Sequence, residues 1–145
     1  MRAVIQRVKD ATVTVDGTVI GAIDAGLLIY LGVAKGDGDH QAQWLAEKIV
    51  KLRIFHDDAG KMNRCLTDVG AGVLAVSQFT LLANLRKGNR PSWDDAAPPE
   101  EAERLYKLFV AHLRGLLPIV ATGSFGAHMD VRYTNDGPVT FVLDA

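Results

Sequence analysis

"GLLIYLGV", residues Gly26 to Val33, is an almost wholly apolar run between glycines. A strand with one wet face alternates apolar and polar side chains; a run without that alternation has to be covered on both sides. Its eight residues, rich in Leu, Ile, Tyr and Val, are too few for a typical helix. We read the run as a strand buried on both faces.

Upstream, "AVIQRV" and "ATVTVDGTVIGAI" are β-branched and partly alternating, with Asp16-Gly17 between two such runs as a hairpin signal. Downstream, "AKGDGD" breaks the pattern. Trp44, Leu45, Lys48, Ile49, Leu52 and Phe55 then recur at helical spacing, which predicts a helix over Asp39 to Phe55 capped by Asp37 or Asp39. "HDDAGKMN" reads as a turn and "GVLAVSQFTL" as another strand. "RKGNRPSWDDAAPPE" is a polar loop. "PPEEAERLYKLFVAHLRGLL" reads as a second amphipathic helix, with Pro at its start, acids in its first turn and Arg114 near its end. "HMDVRYT" and "VTFVLD" read as two closing strands, with Asn135-Asp136-Gly137-Pro138 as the turn between them. Gly-Pro is an odd entry to a strand, since proline donates nothing to a ladder. It is also the common setting for a cis peptide.

The order of elements is not the βαβ alternation of a doubly wound fold. The expectation is a mixed α/β domain spanning 1–145: β-rich, barrel-like sheet layers with two long helices packed on one side. Strand edges left over in so small a protein call for cover, and a second copy can supply it.

The 145 residues are 48% hydrophobic and 23% charged, with a net charge of -1, as in an ordinary globular protein. Any nucleic-acid contact would therefore be a local patch. Cys65 is the only cysteine, which excludes an internal disulfide. The N-terminal stretch lacks the apolar core of a signal peptide, and no apolar run approaches the ~18 residues of a membrane span. The expectation is a cytoplasmic protein with no membrane association.

His40, His56, His112 and His128 lie far apart and share no ligand spacing, so no metal or other cofactor is expected. Glycines 32, 36 and 38 match no phosphate-loop pattern. Ser77, Gln78, Phe79 and Thr80 end an apolar strand. Such an end can present amides and hydroxyls to an anion or oxyanion, or the hydroxyls can simply satisfy strand-end amides. Arg86, Lys87 and Arg90 form a basic loop next to Trp93, suited to phosphate contacts and base stacking or to plain solvation. In "TGSFGAHM", small residues flank Phe125, and Phe125 and Met129 could stack on a ring beside Gly126.

Taken together these segments resemble the D-aminoacyl-tRNA deacylase family. Both of its signature motifs occur, as "SQFTL" (77–81) and "NDGPVTF" (135–141). "MRAVIQRV", "AEKIVKLRIF", "RKGNRPSW", "DAAPPE" and "FGAHM" follow the family pattern in the same order, with departures at His128 and Trp93.

The resemblance implies a homodimer with its active site at the interface, acting on tRNA. It implies hydrolysis of the ester joining a D-amino acid, or glycine, to the 3′-terminal adenosine, as chiral proofreading. Ser77, Gln78, Phe79 and Thr80 would be catalytic, with the Phe79 N–H, helped by Gln78, polarising the ester carbonyl. Thr80 has no histidine or lysine in the motifs to activate it, which favours attack by a placed water over a side-chain nucleophile. Gly137 and Pro138 would form a cis motif that reaches the partner's site and screens chirality, with Arg7 anchoring it through carbonyl hydrogen bonds. Phe125, Gly126 and Met129 would cradle the adenine, and Arg86, Lys87 and Arg90 would meet the tRNA backbone. A related animal family of similar fold that accepts certain L-aminoacyl-tRNAs, a non-enzymatic RNA-binding module and a ligand-binding barrel are the rival readings.

Overall fold

Strand β1 (Arg2–Val15) runs the length of the sheet and changes partners halfway. Its first half pairs antiparallel with β3 (Gly26–Gly32), its second half with β2 (Thr18–Ile23). The β1–β2 hairpin turns at Asp16 and Gly17, with φ of 48° and 78°. Both residues are left-handed, as a two-residue hairpin turn requires. This structure is a computed structural model and describes residues 1–86 and 88–145; Lys87 of the basic loop lies outside the described residues.

From β3 the sheet continues in parallel to β6 (Gly72–Ser77) and then β7 (Val120–Thr122). Helix α1 (Asp39–Val50) lies between β3 and β6 in the chain, and α3 (Pro99–Leu116) between β6 and β7. The fold is not doubly wound, as expected, yet two βαβ crossovers build half of the sheet. They are hidden in the sequence because a hairpin, a short helix α2 (Leu66–Val69) and a long loop interrupt the pattern. At the far side β7 comes up against β2, so the sheet nearly closes into a barrel. The expected mixed, barrel-like class with two long helices on one side holds.

The apolar run at Gly26–Gly32 behaves as read: every residue but Tyr30 is buried. Leu27, Ile29 and Leu31 face α1 and α3 and pack with Leu45, Ile49, Leu105, Phe109 and Leu113. Leu28 faces the barrel interior with Val8, Val13, Leu74 and Val76. Two apolar cores thus share β3 as their common wall, and each Leu or Ile buried there contributes about 1.5–3 kcal/mol.

Two boundaries differ from the sequence expectation. Helix α1 stops at Val50, not Phe55, because Phe55–His56 (β4) pairs with Met62–Arg64 (β5) around the "HDDAGKMN" turn. The last segment is one strand, β8 (Asp130–Asp144), not two strands and a turn. It pairs antiparallel with β1 along its length. Asn135 sits opposite Val8 and Thr140 opposite Gln6, so residues 136–139 face Arg7 alone and bulge from the ladder. The Gly137–Pro138 peptide within this bulge is cis, and both residues are exposed. Gly137 has φ +125°, and an added Cβ would lie 2.6 Å from Val139 Cγ2, so only glycine fits there.

Candidate active site

The parallel strands β3 and β6 point their carboxyl ends at one cleft of about 700 Å³. Open α/β sheets bind ligands at this end, and the size suits a small molecule or nucleoside. Leu31 at the end of β3, with Val33 and Lys35 beyond it, and Val76 and Ser77 at the end of β6, with Gln78 and Phe79 beyond it, line the cleft. The start of α3 supplies Pro98, Pro99 and Ala102, and the loop before β8 supplies Phe125, Gly126, Ala127, His128 and Met129.

The chain leaves β6 through a 3-10 turn at Phe79–Leu82, and that exit decides which amides are free. Gln78 N–H donates to Leu31 O at 2.8 Å, extending the ladder by one rung. Phe79 opens the turn, and the first N–H groups of a helical turn have no partner within it. The Phe79 amide is thus the first donor past the end of the strand, at the edge of the cleft. The Phe79 ring packs edge-on against Trp93, with centroids 5.0 Å apart and planes at 62°. That contact ties the turn to the loop preceding α3 and brings Trp93 into the cleft wall.

Gln78 also orients Thr80, because its Nε2 donates to the Thr80 hydroxyl oxygen. Thr80 itself is exposed and does not line the cleft, so of the four motif residues only Ser77, Gln78 and Phe79 face it. Arg86 and Arg90 do not line it either. They belong to an exposed loop whose ends are joined by backbone bonds between Asn84 and Ser92.

The opposite wall is held from below. Tyr106 of α3 donates its hydroxyl to Ala75 O at 2.9 Å, and Phe125 packs on its ring at a centroid distance of 6.1 Å. Burial pushes the Tyr106 hydroxyl up to about 12, so it stays neutral near pH 7. Met129 sulfur accepts from Ser124 N–H at 3.4 Å, folding the "SFGAHM" loop onto itself. The expected adenine residues Phe125, Gly126 and Met129 therefore share one cavity with Ser77, Gln78 and Phe79.

His128, the departure within "FGAHM", also lines the cleft, as does Lys35, which no pattern singles out. Lys35 reaches it because a backbone bond from Lys35 N–H to Asp95 O (3.0 Å) folds the "AKGDGD" segment against the loop before α3. No local signal predicts that pairing. Among the described residues no three His, Cys, Asp or Glu side chains gather in a way that could hold a metal ion. No helix is long and apolar enough to cross a membrane among those residues.

Gly137, Pro138 and Arg7 lie away from this cleft in the single chain. The expected juxtaposition with Ser77–Thr80 is thus not made within one copy. Arg7 also holds the bulge by a different route from the one expected. Its guanidinium meets the Asp136 carboxylate at 2.8 Å, and its Nη1 donates to Ile54 O at 2.5 Å, not to the carbonyls of Gly137 or Pro138.

The profile of the D-Tyr-tRNA(Tyr) deacylase family matches residues 4–144. A D-aminoacyl-tRNA deacylase of Geobacter metallireducens is 57% identical over the whole chain and 96% of that relative. One of Thermus aquaticus is 57% identical over the whole chain and 95% of its own length. A solved c-Myc DNA unwinding element binding protein superposes with TM-score 0.95 at 40% identity, covering 100% of this chain and 99% of the other. A probable eukaryotic D-amino acid tRNA deacylase superposes with TM-score 0.84 at 16% identity, over 99% and 98% of the two chains, a likeness of fold alone. By its sequence, its full-length relatives and its sheet, this chain belongs to the D-Tyr-tRNA(Tyr) deacylase family.

Proposed function

We propose that the protein hydrolyses the ester between a D-amino acid, or glycine, and the 3′-terminal adenosine of tRNA. The observation that carries this reading is the Phe79 amide, which has no hydrogen-bond acceptor among the described residues, at the end of β6 in the same cleft as Phe125 and Met129. The aromatic and thioether side chains suit a purine face, and the amide suits the carbonyl oxygen of an ester attached to it. Water adds to the ester carbon, and the negative charge that develops on oxygen is met by the Phe79 N–H. The bond to the ribose oxygen then breaks, releasing the amino acid and the tRNA. Such a donor is worth about 10²–10³ in rate because it meets charge only as the transition state forms. The ester is already activated, so a placed water, with the ribose 2′-OH beside it, supplies the nucleophile.

Selectivity for the D series belongs to a homodimer. The outer edge of β8 has no partner strand among the described residues, and Tyr133, Phe141 and Val142 are 37%, 40% and 63% exposed beside it. A long edge of this kind invites a second copy. In that assembly Gly137 and Pro138 of one copy enter the cleft of the other. Their carbonyls reject an L side chain and admit a D side chain or a hydrogen. Arg86 and Arg90, with Lys87 between them in sequence, meet backbone phosphates. With so few cations the logarithmic salt slope of tRNA binding is expected at about -1 to -3.

Matched D-, L- and glycyl-tRNA incubated with purified protein test the reading. Release of D-amino acid and glycine, with L-aminoacyl-tRNA intact, supports it. Equal rates on D and L esters, or binding without turnover, overturns it, the latter in favour of an RNA-binding module. Light scattering is expected to give twice 15.7 kDa, and a fully active monomer would remove the dimer.

A further inference from the structure

The bulge of β8 is an open loop of four residues set against one residue of β1, and something has to hold its neck closed. Two side-chain contacts surround it. Arg7 pairs with Asp136 on one limb. Asn135, at the base of the same limb, makes a more complete set.

The Asn135 amide nitrogen donates to Arg7 O at 2.9 Å and to Val139 O at 3.1 Å. Its oxygen accepts from Gln6 Nε2 at 3.4 Å and from the Thr140 hydroxyl at 3.3 Å. A carboxamide has two donor hydrogens and two lone pairs, and all four are engaged here. The orientation is fixed by chemistry, because both carbonyls facing the nitrogen can only accept. The bond to Val139 O crosses the neck of the loop, and the bond to Arg7 O fastens that neck to β1. Gln6 also donates to the Thr140 hydroxyl at 3.3 Å, closing a small polar network around the oxygen. Beyond the neck Val139 is buried, while Gly137 and Pro138 stand out in solvent.

We propose that Asn135 is a positioning residue for stereochemical discrimination. It clamps the 136–139 loop so that the Gly137–Pro138 step is presented at one height and angle. This rests on the reading that Gly137 and Pro138 screen the substrate in a second copy. Asn135 touches no substrate and acts through the loop. Gln6 and Thr140 also reach across the neck, but through the Asn135 carboxamide oxygen and each other; among the described residues Asn135 is the side chain that bonds a backbone carbonyl of the far limb. A loop fixed at its neck resists displacement by an incoming L side chain, whereas a loop fixed on one limb by Arg7 alone yields to it.

Asn135→Asp keeps the shape and replaces both donated bonds by oxygen facing oxygen. Asn135→Ala removes the clamp outright. The measurement is kcat/KM on matched D- and L-aminoacyl-tRNA, beside the wild type and Pro138→Ala. The expected result is at least a tenfold fall in D/L discrimination in both Asn135 variants, produced by a rise on the L substrate with kcat on the D substrate kept. General destabilisation would lower both substrates together and leave the ratio unchanged, which would overturn the clamp. Gln6→Leu, which leaves both Asn135 donor bonds intact, is expected to lose less discrimination than either Asn135 variant. If the Asn135 variants do not fold, Gln6→Leu decides, because it removes one of the two bonds that hold the Asn135 carboxamide oxygen: discrimination kept at the wild-type value overturns the proposal. Wild-type protein without D/L discrimination, or Pro138→Ala that retains it, would refute the screening role itself and the clamp with it. Discrimination kept in the wild type and in the Asn135 variants, but lost in Pro138→Ala, overturns the clamp alone.

Discussion

The Arg7 guanidinium meets the Asp136 carboxylate at 2.8 Å, with side chains 4% and 37% exposed. The contact is ionic and lacks hydrogen-bond alignment, since the Arg7 Nε–H has no aligned acceptor. A buried arginine carries a desolvation penalty that one ion pair and the bond to Ile54 O only partly offset.

Arg7→Met fills most of the volume without the charge, so its stability is expected within about 1–2 kcal/mol of the wild type. Arg7→Ala leaves a cavity and an unpaired Ile54 carbonyl and is expected to cost about 3 kcal/mol. Urea unfolding measures both. A methionine variant as unstable as the alanine variant would show that the charge itself holds this part of the fold together.

Thr80→Ala is expected to keep deacylation within about tenfold of the wild type, the loss coming from the released Gln78 side chain. The Thr80 hydroxyl lies outside the cleft and accepts from Gln78, and nothing in the motif activates it as a nucleophile. Single-turnover rates on D-aminoacyl-tRNA check this. A covalent acyl group trapped on Thr80 would reverse the conclusion.

Tyr30 and Tyr106 make the fold sensitive to alkali. Both hydroxyls are pushed from 10.0 up to about 12, Tyr30 by burial and then by its neighbour Tyr133, Tyr106 by burial. A raised pKa means that the folded state holds the proton to higher pH than the unfolded chain. This contribution to stability is complete below pH 10 and is lost as the pH rises towards 12. Urea midpoints at pH 9, 10 and 11 are expected to fall with increasing slope. Tyr106→Phe is expected to be less stable at pH 9, having lost the bond to Ala75 O, and to show a shallower fall above pH 10. An unchanged slope would mean that Tyr106 ionises alike in both states.

What the sequence disclosed was local or periodic. The run at Gly26–Val33, the Asp16-Gly17 hairpin and the spacing of α3 each carry their own geometry within a few residues. In sequence the bulge of β8 reads as a turn because Asn-Asp-Gly-Pro has turn chemistry. Only the register against β1, more than a hundred residues away, reveals a continuous strand. The motif residues Ser77–Phe79 line the cleft, and so do His128 and Lys35, which have no individual signal for that place. Their place in the cleft depends on how the segments after β3 and before β8 pack against other loops, which no spacing encodes.

Gly32 offers the sharpest test of how the sheet sets the site. It ends β3, and the 3-10 turn that presents Phe79 lies directly on it. A Cβ added at Gly32 would fall 2.3 Å from Leu82 Cδ2 and 3.1 Å from Gln78 O. The leucine methyl is the end of a flexible side chain and can rotate away. The Gln78 carbonyl cannot, because the neighbouring Gln78 N–H is held by Leu31 O and the carbonyl itself accepts from Leu81 N–H. Gly32→Ala is therefore expected to lift the turn by a few tenths of an ångström and to cost about 1–3 kcal/mol of stability. The Phe79 amide moves with the turn. Since misplacement of catalytic groups is felt steeply, kcat on D-aminoacyl-tRNA is expected to fall by about tenfold or more, with KM little changed. Adding Leu82→Ala removes the methyl contact and leaves the carbonyl contact. If that double variant regains full kcat, the crowding was confined to the leucine and the carbonyl contact does not position Phe79. If kcat stays low while urea unfolding confirms a folded protein, the backbone of β3 sets the height of the oxyanion donor.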